Sequence, residues 1–389
     1  MDFSFGLLLA LFVIAALTMP AGIGGGILFT PLLQSAGGLN TKQAAALSQI
    51  LISGAATASI MFNIWQQLLK RDEDALRIQA HYIYLSLPAL LSGTLTGVYL
   101  GKLLPNILQM LALFGICSYG SYSIIKRAMK TYQEESAALR ASGAPTSQVE
   151  KVGNPSLSEP MHVELVERSR DPPVRKLSSA GAELPSLNIK MFVGFISALF
   201  IGTVFLTIIK GGKGLRSIFG VRPCGGVFFS IVIVQILVEI GIALYYAPKE
   251  YRFILESWVI GVITTMTGAS PGILQNPLMM SKGLSPVHST PISVIITFLT
   301  ASTSSLDYLM GGIVPFWMVF LSSITFAGSI AGMTGITYLI KKTGRPSLII
   351  FLLGVMAAIG GFTVLLAGIT GAFASIKNGD NPLSFEITC

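Results

Sequence analysis

An all-α, polytopic membrane fold is predicted by three features of the sequence. Only 11% of the 389 residues are charged while 52% are hydrophobic, and the mean hydropathy is +0.71; a soluble globule carries about 25% charged residues. Apolar runs close to the ~20 residues needed to cross a bilayer as helix recur along the chain, about ten in all. Two of these runs are interrupted by glycine and proline, and the two interruptions are similar to each other. Together they predict two homologous halves, each holding one glycine/proline-broken helix.

In chain order, the first apolar segment covers Phe5 to about Leu33 and contains the first interruption, Pro20, Gly22, Gly24, Gly25 and Gly26. Clustered glycine unwinds a helix, because each residue adds backbone entropy and brings no packing side chain. In hydrocarbon the unwound groups lose their partners, so a break survives only where protein or a wet cavity surrounds it. The next segment, Gln43 to Leu69, is rich in small and hydroxyl residues (Ser48, Ser53, Gly54, Thr57, Ser59), the composition of close helix packing in lipid. A charged turn, Lys70 to Arg77, precedes segments Tyr82–Leu100 and Ile107–Ile125.

From Lys126 to Lys190 the chain turns polar, with Lys, Arg, Glu, Ser and Pro and few aromatics, as expected of a flexible loop. Ser178 and Ser179, following Arg175 and Lys176, are either modification sites or plain linker. Beyond it come Met191–Ile209, a glycine-rich basic turn from Lys210 to Cys224, and Val227–Ala247. The turn lacks the GxxxxGK[ST] pattern of a phosphate loop and reads as interfacial. Ile254–Met280 holds the second interruption, and Val287–Leu309, Val314–Ile340 and Leu348 to about Ala374 complete the series. The expected organisation is an N-terminal transmembrane repeat (1–130), a cytosolic linker (131–189), connecting transmembrane helices (190–250), a C-terminal transmembrane repeat (251–376) and a tail (377–389).

The duplication is visible column by column. Gly268 to Leu278 align with Gly22 to Leu32; Gly22/Gly268, Gly26/Gly272 and Pro31/Pro277 share one offset, and Ile27/Ile273, Leu28/Leu274 and Leu32/Leu278 are also identical. After one deletion near Gly38 the register continues through Ser48/Ser293. Paired halves with interrupted helices are the sequence pattern of a transporter's binding site. If every segment crosses, the halves are parallel; if a broken segment turns back as a hairpin, they are inverted. Spacing leaves both open.

The residue inventory narrows the function classes. Net charge +8 is scattered at segment ends, where it faces anionic lipid, with no basic stripe interleaved with aromatics to hold nucleic acid. Cys117, Cys224 and Cys389 form no CxxC pair, and His81, His162 and His288 are dispersed without HExxH, so no metal, cofactor or enzyme activity is expected. A membrane adaptor or receptor and a continuous-pore channel stay in view as alternatives to a transporter, as does another small organic anion as cargo. No secretory leader is expected ahead of the first segment.

The residues GIGGGILFTPLL followed by ALSQ, echoed by GASPGILQNPLM with PISV, resemble the duplicated signature of the sulfite exporter TauE/SafE family. The basic turn Lys210 to Cys224 ahead of a long apolar segment further resembles its eukaryotic branch. The second motif departs from the family's glycine run at Ala269, Ser270 and Pro271. The resemblance implies a multi-pass permease exporting small sulfur-containing anions such as sulfite or sulfonates.

Within such a permease, a half-helix restarting in mid-membrane would aim unpaired N–H groups, with about +0.5 charge, into the cavity. Glycine lets an anion's oxygens approach that backbone closely. The expected donors are the amides of Gly24, Gly25, Gly26 and Ile27 from one half and of Ser270, Gly272 and Ile273 from the other. Ser48, Gln49, Ser293, Thr297, Gln275 and Asn276 would complete the shell, framed by Gly22, Gly268, Pro31 and Pro277. Packing alone is the competing account of the same glycines. Glu239, with Gln235 one turn earlier, is the candidate for coupling to a proton or sodium, because an ionisable group deep in a membrane segment is functional by default. His81, His288, Asp307 and Glu256 are expected near helix ends, solvated at the interface.

Overall fold

The structure, a computed structural model, describes residues 4–141 and 189–343, apart from 21, 23, 70–72, 224, 247, 283 and 285, with scattered residues between 351 and 369. The linker serines, Cys224, Cys389, His162, most of the last apolar segment and the tail lie outside the described residues, as does the side chain of His288.

Eleven α-helices make up the described part: α1 (Phe5–Thr18), α2 (Gly26–Ser35), α3 (Thr41–Leu69), α4 (Glu73–Leu103), α5 (Asn106–Ala141), α6 (Ile189–Lys210), α7 (Gly226–Tyr246), α8 (Tyr251–Thr267), α9 (Gly272–Ser281), α10 (Pro286–Met310) and α11 (Leu321–Thr343). Short 3-10 turns at Pro248–Glu250 and Phe316–Phe320 lead into α8 and α11. The chain is an integral, multi-pass, all-α membrane protein.

Seven of these helices, rather than ten, are long and apolar enough to cross a bilayer among the described residues. The last expected segment lies mostly outside the described residues; the other two differ for a physical reason. The first and seventh apolar segments are each divided by their glycine break into a 14- or 17-residue helix and a 10-residue helix, too short to span. α5 also outruns its apolar stretch, since Lys126 to Ala141 is built of good helix formers, so the first part of the expected linker is helical.

Helix directions follow from close contacts. α1 and α11 run parallel, with Gly328 against Phe12 and Gly332 against Ala16. α4 and α8 run parallel too: Gly93, Gly97 and Gly101 of α4 lie on Trp258, Val262 and Met266. This glycine at every fourth position lets the two backbones touch. α3 and α10 are antiparallel, since Ser53 Oγ meets Ser302 Oγ at 2.9 Å while Ser304 bonds Gln49. Gly54 against Ser322 and the Ser59–Ser329 hydroxyl pair (3.0 Å) align α3 with α11, and Lys102 beside Gly311 aligns α4 with α10. α1 and α8 therefore point in opposite directions.

The buried apolar core gathers on α1, α2, α3 and the second break (Leu11, Ile27, Phe29, Leu47, Leu51, Ala269, Ile273) and again on α4, α8 and α10 (Ile83, Leu87, Leu90, Phe253, Ile296). α6 and α7 instead turn Ile201, Phe205, Val234 and Leu237 outward. In a membrane protein such side chains face lipid.

Candidate site where the two helix breaks meet

The first break unwinds because its glycines adopt a left-handed backbone, with φ of +69° at Gly22, +79° at Gly24 and +74° at Gly25. Residues with a Cβ resist that conformation. α2 restarts at Gly26, with Leu28 and Phe29 already donating to the Gly25 carbonyl at 2.9 and 3.0 Å. The second break turns on Gly268 (φ +75°), and α9 restarts at Gly272 behind Pro271.

The breaks pack on each other by mutual exchange. A Cβ built on Gly26 would sit 2.6 Å from the Gly268 carbonyl and 2.7 Å from the Ser270 nitrogen. One built on Gly272 would sit 2.6 Å from the Gly22 carbonyl and 2.7 Å from Ser293 Oγ. The aligned positions of the two motifs thus contact each other crosswise. Thr30 Oγ1 donates to the Gly268 carbonyl (3.2 Å), and its counterpart Asn276 donates to the Gly22 carbonyl (3.3 Å).

The carbonyls of the breaks are occupied by side-chain donors. Gly268 O also accepts from Ser48 Oγ at 2.7 Å, and Ala269 O from Gln49 Nε2 at 3.1 Å. Gln49 is held in turn by Ser304 Oγ at 3.2 Å. The amides of Gly25, Gly26, Ile27 and Ser270 have no acceptor among the described residues. No lysine or arginine side chain is recorded in contact with these groups among the described residues.

Other expected site residues divide. Ser270 Oγ pairs with Thr297 Oγ1 (3.2 Å) and caps the Gly272 amide (3.3 Å), while Ile273 N bonds the Ser270 carbonyl (3.4 Å). The amides of Gly272 and Ile273 thus each have an acceptor here, because a serine stands where the first motif has glycine and its hydroxyl and carbonyl reach them. Gln275 turns away to Ser257 at 3.3 Å. Ser293 is buried against Gly272, its hydroxyl without a hydrogen-bond partner among the described residues. Pro31 and Pro277 lie inside α2 and α9, and Ile27 and Ile273 converge on Gly120 of α5.

Among curated proteins, this chain is 21% identical over 405 residues to sulfite exporter TauE/SafE family protein 5 of Arabidopsis thaliana, covering 97% of this chain and 86% of that one. It is 20% identical over 409 residues to family protein 1 (97% and 86%) and 23% identical over 405 residues to family protein 3 (96% and 80%), both from the same plant. The chain is thus similar along nearly its whole length to proteins named for the sulfite exporter TauE/SafE family. No family model matches it, and no solved structure matches it.

A second polar centre, missed in the sequence, lies where α4, α6 and α10 end. Asp307 is not solvated at an interface: Lys210 Nζ and Asp307 Oδ1 are 2.6 Å apart, with side chains 1% and 3% exposed. Thr207 Oγ1 adds a bond to Asp307 at 3.3 Å. Lys210, placed by composition in an interfacial turn, is the last residue of α6 and is covered by the glycine loop that follows. There Gly214 N bonds the Met310 carbonyl at 2.8 Å. The available signal was the lysine–aspartate complementarity of two apolar segments, which no local pattern connects. Glu239 of α7 is buried and accepts from Gln235 (3.2 Å) and Thr203 of α6 (3.3 Å). It contributes nothing to the meeting of the breaks.

Proposed function

We propose that this protein is a secondary transporter exporting small sulfur-containing anions, sulfite or organosulfonates, bound midway across the membrane between the two breaks. The observation carrying this reading is the sorting of polar groups there: side chains take the carbonyls and leave amides over. Oriented amides in a water-poor site favour an anion, and neutral donors release it more readily than an arginine clamp would. The relatives' printed names, sulfite exporter family proteins, agree in cargo class.

The finer architecture belongs to the same proposal. Each broken segment is a hairpin turning back at mid-membrane, and the two halves are inverted repeats flanking the 131–189 linker, the 190–250 helices connecting them. The opposite directions of α1 and α8 and the crosswise glycine contacts support this. The breaks are in contact, so transport requires their tips to part and re-form around the anion, which suits alternating access. Glu239 is a candidate coupling group in this scheme, and Glu239→Gln is expected to remove pH-driven transport if it carries the proton; unchanged pH dependence excludes it.

The test is flux into liposomes bearing the purified protein, with sulfite, sulfate, taurine and methanesulfonate offered separately. Saturable flux of a sulfur anion is expected, together with its loss in Gly25→Val, where a branched side chain must enter a left-handed backbone. Normal flux in that variant removes the first break from the mechanism. Ser48→Ala is expected to weaken the apparent affinity about 5- to 150-fold, about 1–3 kcal/mol, because the Gly268 carbonyl then keeps only Thr30 as a side-chain donor among the described residues. An unchanged half-saturation concentration counts against that role.

A further inference from the structure

We propose that the turn joining α6 to α7, Gly211 to Arg222, is a binding site for anionic phospholipid. Lys213, Arg216 and Arg222 hold the headgroup phosphate while Leu215, Ile218 and Phe219 enter the acyl chains beneath it. Three observations carry this.

The turn is firmly built. Gly211 N bonds the Thr207 carbonyl at 3.1 Å, Gly212 N the Leu215 carbonyl at 2.9 Å and Gly214 N the Met310 carbonyl at 2.8 Å. Ser217 Oγ donates to the Ile209 carbonyl and accepts from the Phe219 amide at 3.2 Å. A Cβ on Gly212 or Gly214 would strike the Met310 or Leu309 carbonyl, so the backbone is seated directly on the end of α10. Val221 packs beside Leu95, Phe228 and Val232. The side chains at the tip are therefore presented outward by a fixed frame.

Those side chains are of two kinds. Ile218 is 75% and Phe219 69% exposed, with Leu215 exposed beside them. Large apolar side chains gathered in the open mark an interaction surface. Between and around them Lys213, Arg216 and Arg222 are exposed too. No aspartate or glutamate occurs from Met191 to Val238, and none of the three cations has an ion-pair partner among the described residues. Cations interleaved with apolar side chains suit a surface lying in the plane of the lipid interface.

The depth agrees. α6 has 22 residues and α7 has 21, each long enough to cross the hydrocarbon core of about 30 Å. The turn that joins them therefore lies at the headgroup layer. At the same end, following α10, Phe316, Trp317 and Phe320 are exposed, as in the aromatic belt of that layer. A guanidinium grips phosphate through two parallel N–H bonds. A water-soluble acidic partner would answer the cations alone, whereas an anionic phospholipid answers both the cations and the apolar side chains in one molecule.

The experiment places a tryptophan at the tip and quenches it with brominated lipid. The full chain carrying Phe219→Trp is reconstituted in phosphatidylcholine vesicles containing equal mole fractions of brominated phosphatidylglycerol or brominated phosphatidylcholine. Quenching of the unsubstituted chain is subtracted, and the unfolding midpoint of each variant is recorded beside it. Stronger quenching by brominated phosphatidylglycerol is expected, a preference of about fivefold for each cation engaged. It is expected to fall about fivefold in Arg216→Gln, to vanish in Lys213→Gln/Arg216→Gln/Arg222→Gln, and to shrink in high salt. In native mass spectra, retention of phosphatidylglycerol over phosphatidylcholine by the unsubstituted chain, lost in the triple variant, tests the same site without the reporter. Equal quenching by the two lipids, with equal retention, overturns the proposal. So does a tryptophan that neither lipid quenches: water-like emission then takes the turn out of the membrane, and blue-shifted emission means that a second copy or another protein covers it.

Discussion

Replacing Gly26 by valine is expected to stop anion flux in liposomes. The added Cβ falls 2.6 Å from the Gly268 carbonyl and 2.7 Å from the Ser270 nitrogen, both backbone atoms that cannot rotate aside. Accommodating it pushes the two breaks apart where they touch, with overpacking that costs about 1–3 kcal/mol. A shift of this kind also misplaces the donors, and small misplacements in a preorganised site are amplified in function. The measurement is radiolabelled sulfite uptake beside the thermal unfolding midpoint. Gly272→Val should behave alike, because its Cβ meets the Gly22 carbonyl at 2.6 Å. Wild-type uptake in both variants would mean that the close crossing of the breaks plays no part in transport.

The second large effect concerns stability. Lys210→Met strips Asp307 of its 2.6 Å partner and leaves a buried carboxylate beside Thr207. Loss of one member of such a pair is destabilising by about 3–5 kcal/mol. A marked drop in the unfolding midpoint of the solubilised protein is expected, with partial recovery in Lys210→Met/Asp307→Leu, since an apolar replacement of the pair is close to neutral but also takes the Asp307 carboxylate away from the buried Lys102. Equal midpoints for the single and double variants would show that the pair is not electrostatically linked.

Much of the membrane architecture was legible before any coordinates. The scarcity of charge, the spacing of apolar runs and the glycines at 22, 24, 25 and 26 are local properties, and local properties decide where a helix can persist in lipid. The pairing of Gly26 with Gly272 and of Thr30 with Asn276 was present in the alignment of the motifs, although nothing in one dimension says that paired positions touch crosswise. Three readings failed for want of long-range information. Gly272 and Ile273 were expected as open donors, but the hydroxyl and carbonyl of Ser270 reach both amides. Gln275 was placed at the site, yet its face of α9 turns to Ser257. Asp307 was assigned to an interface because it lies near a helix end, whereas the ends of α4 and α6 and a glycine loop close over it.

By itself the sequence determined that this chain spans a membrane many times as helix, that two of its apolar runs must break, and which glycines break them. Only the tertiary structure decided that α1 and α8 oppose each other, that the breaks meet with their carbonyls capped, and that Lys210 finds Asp307. The physical reason is one of range. Helix persistence depends on backbone freedom and solvation within a few residues, whereas direction, contact and ion pairing depend on elements 100 to 250 residues apart that only packing brings together.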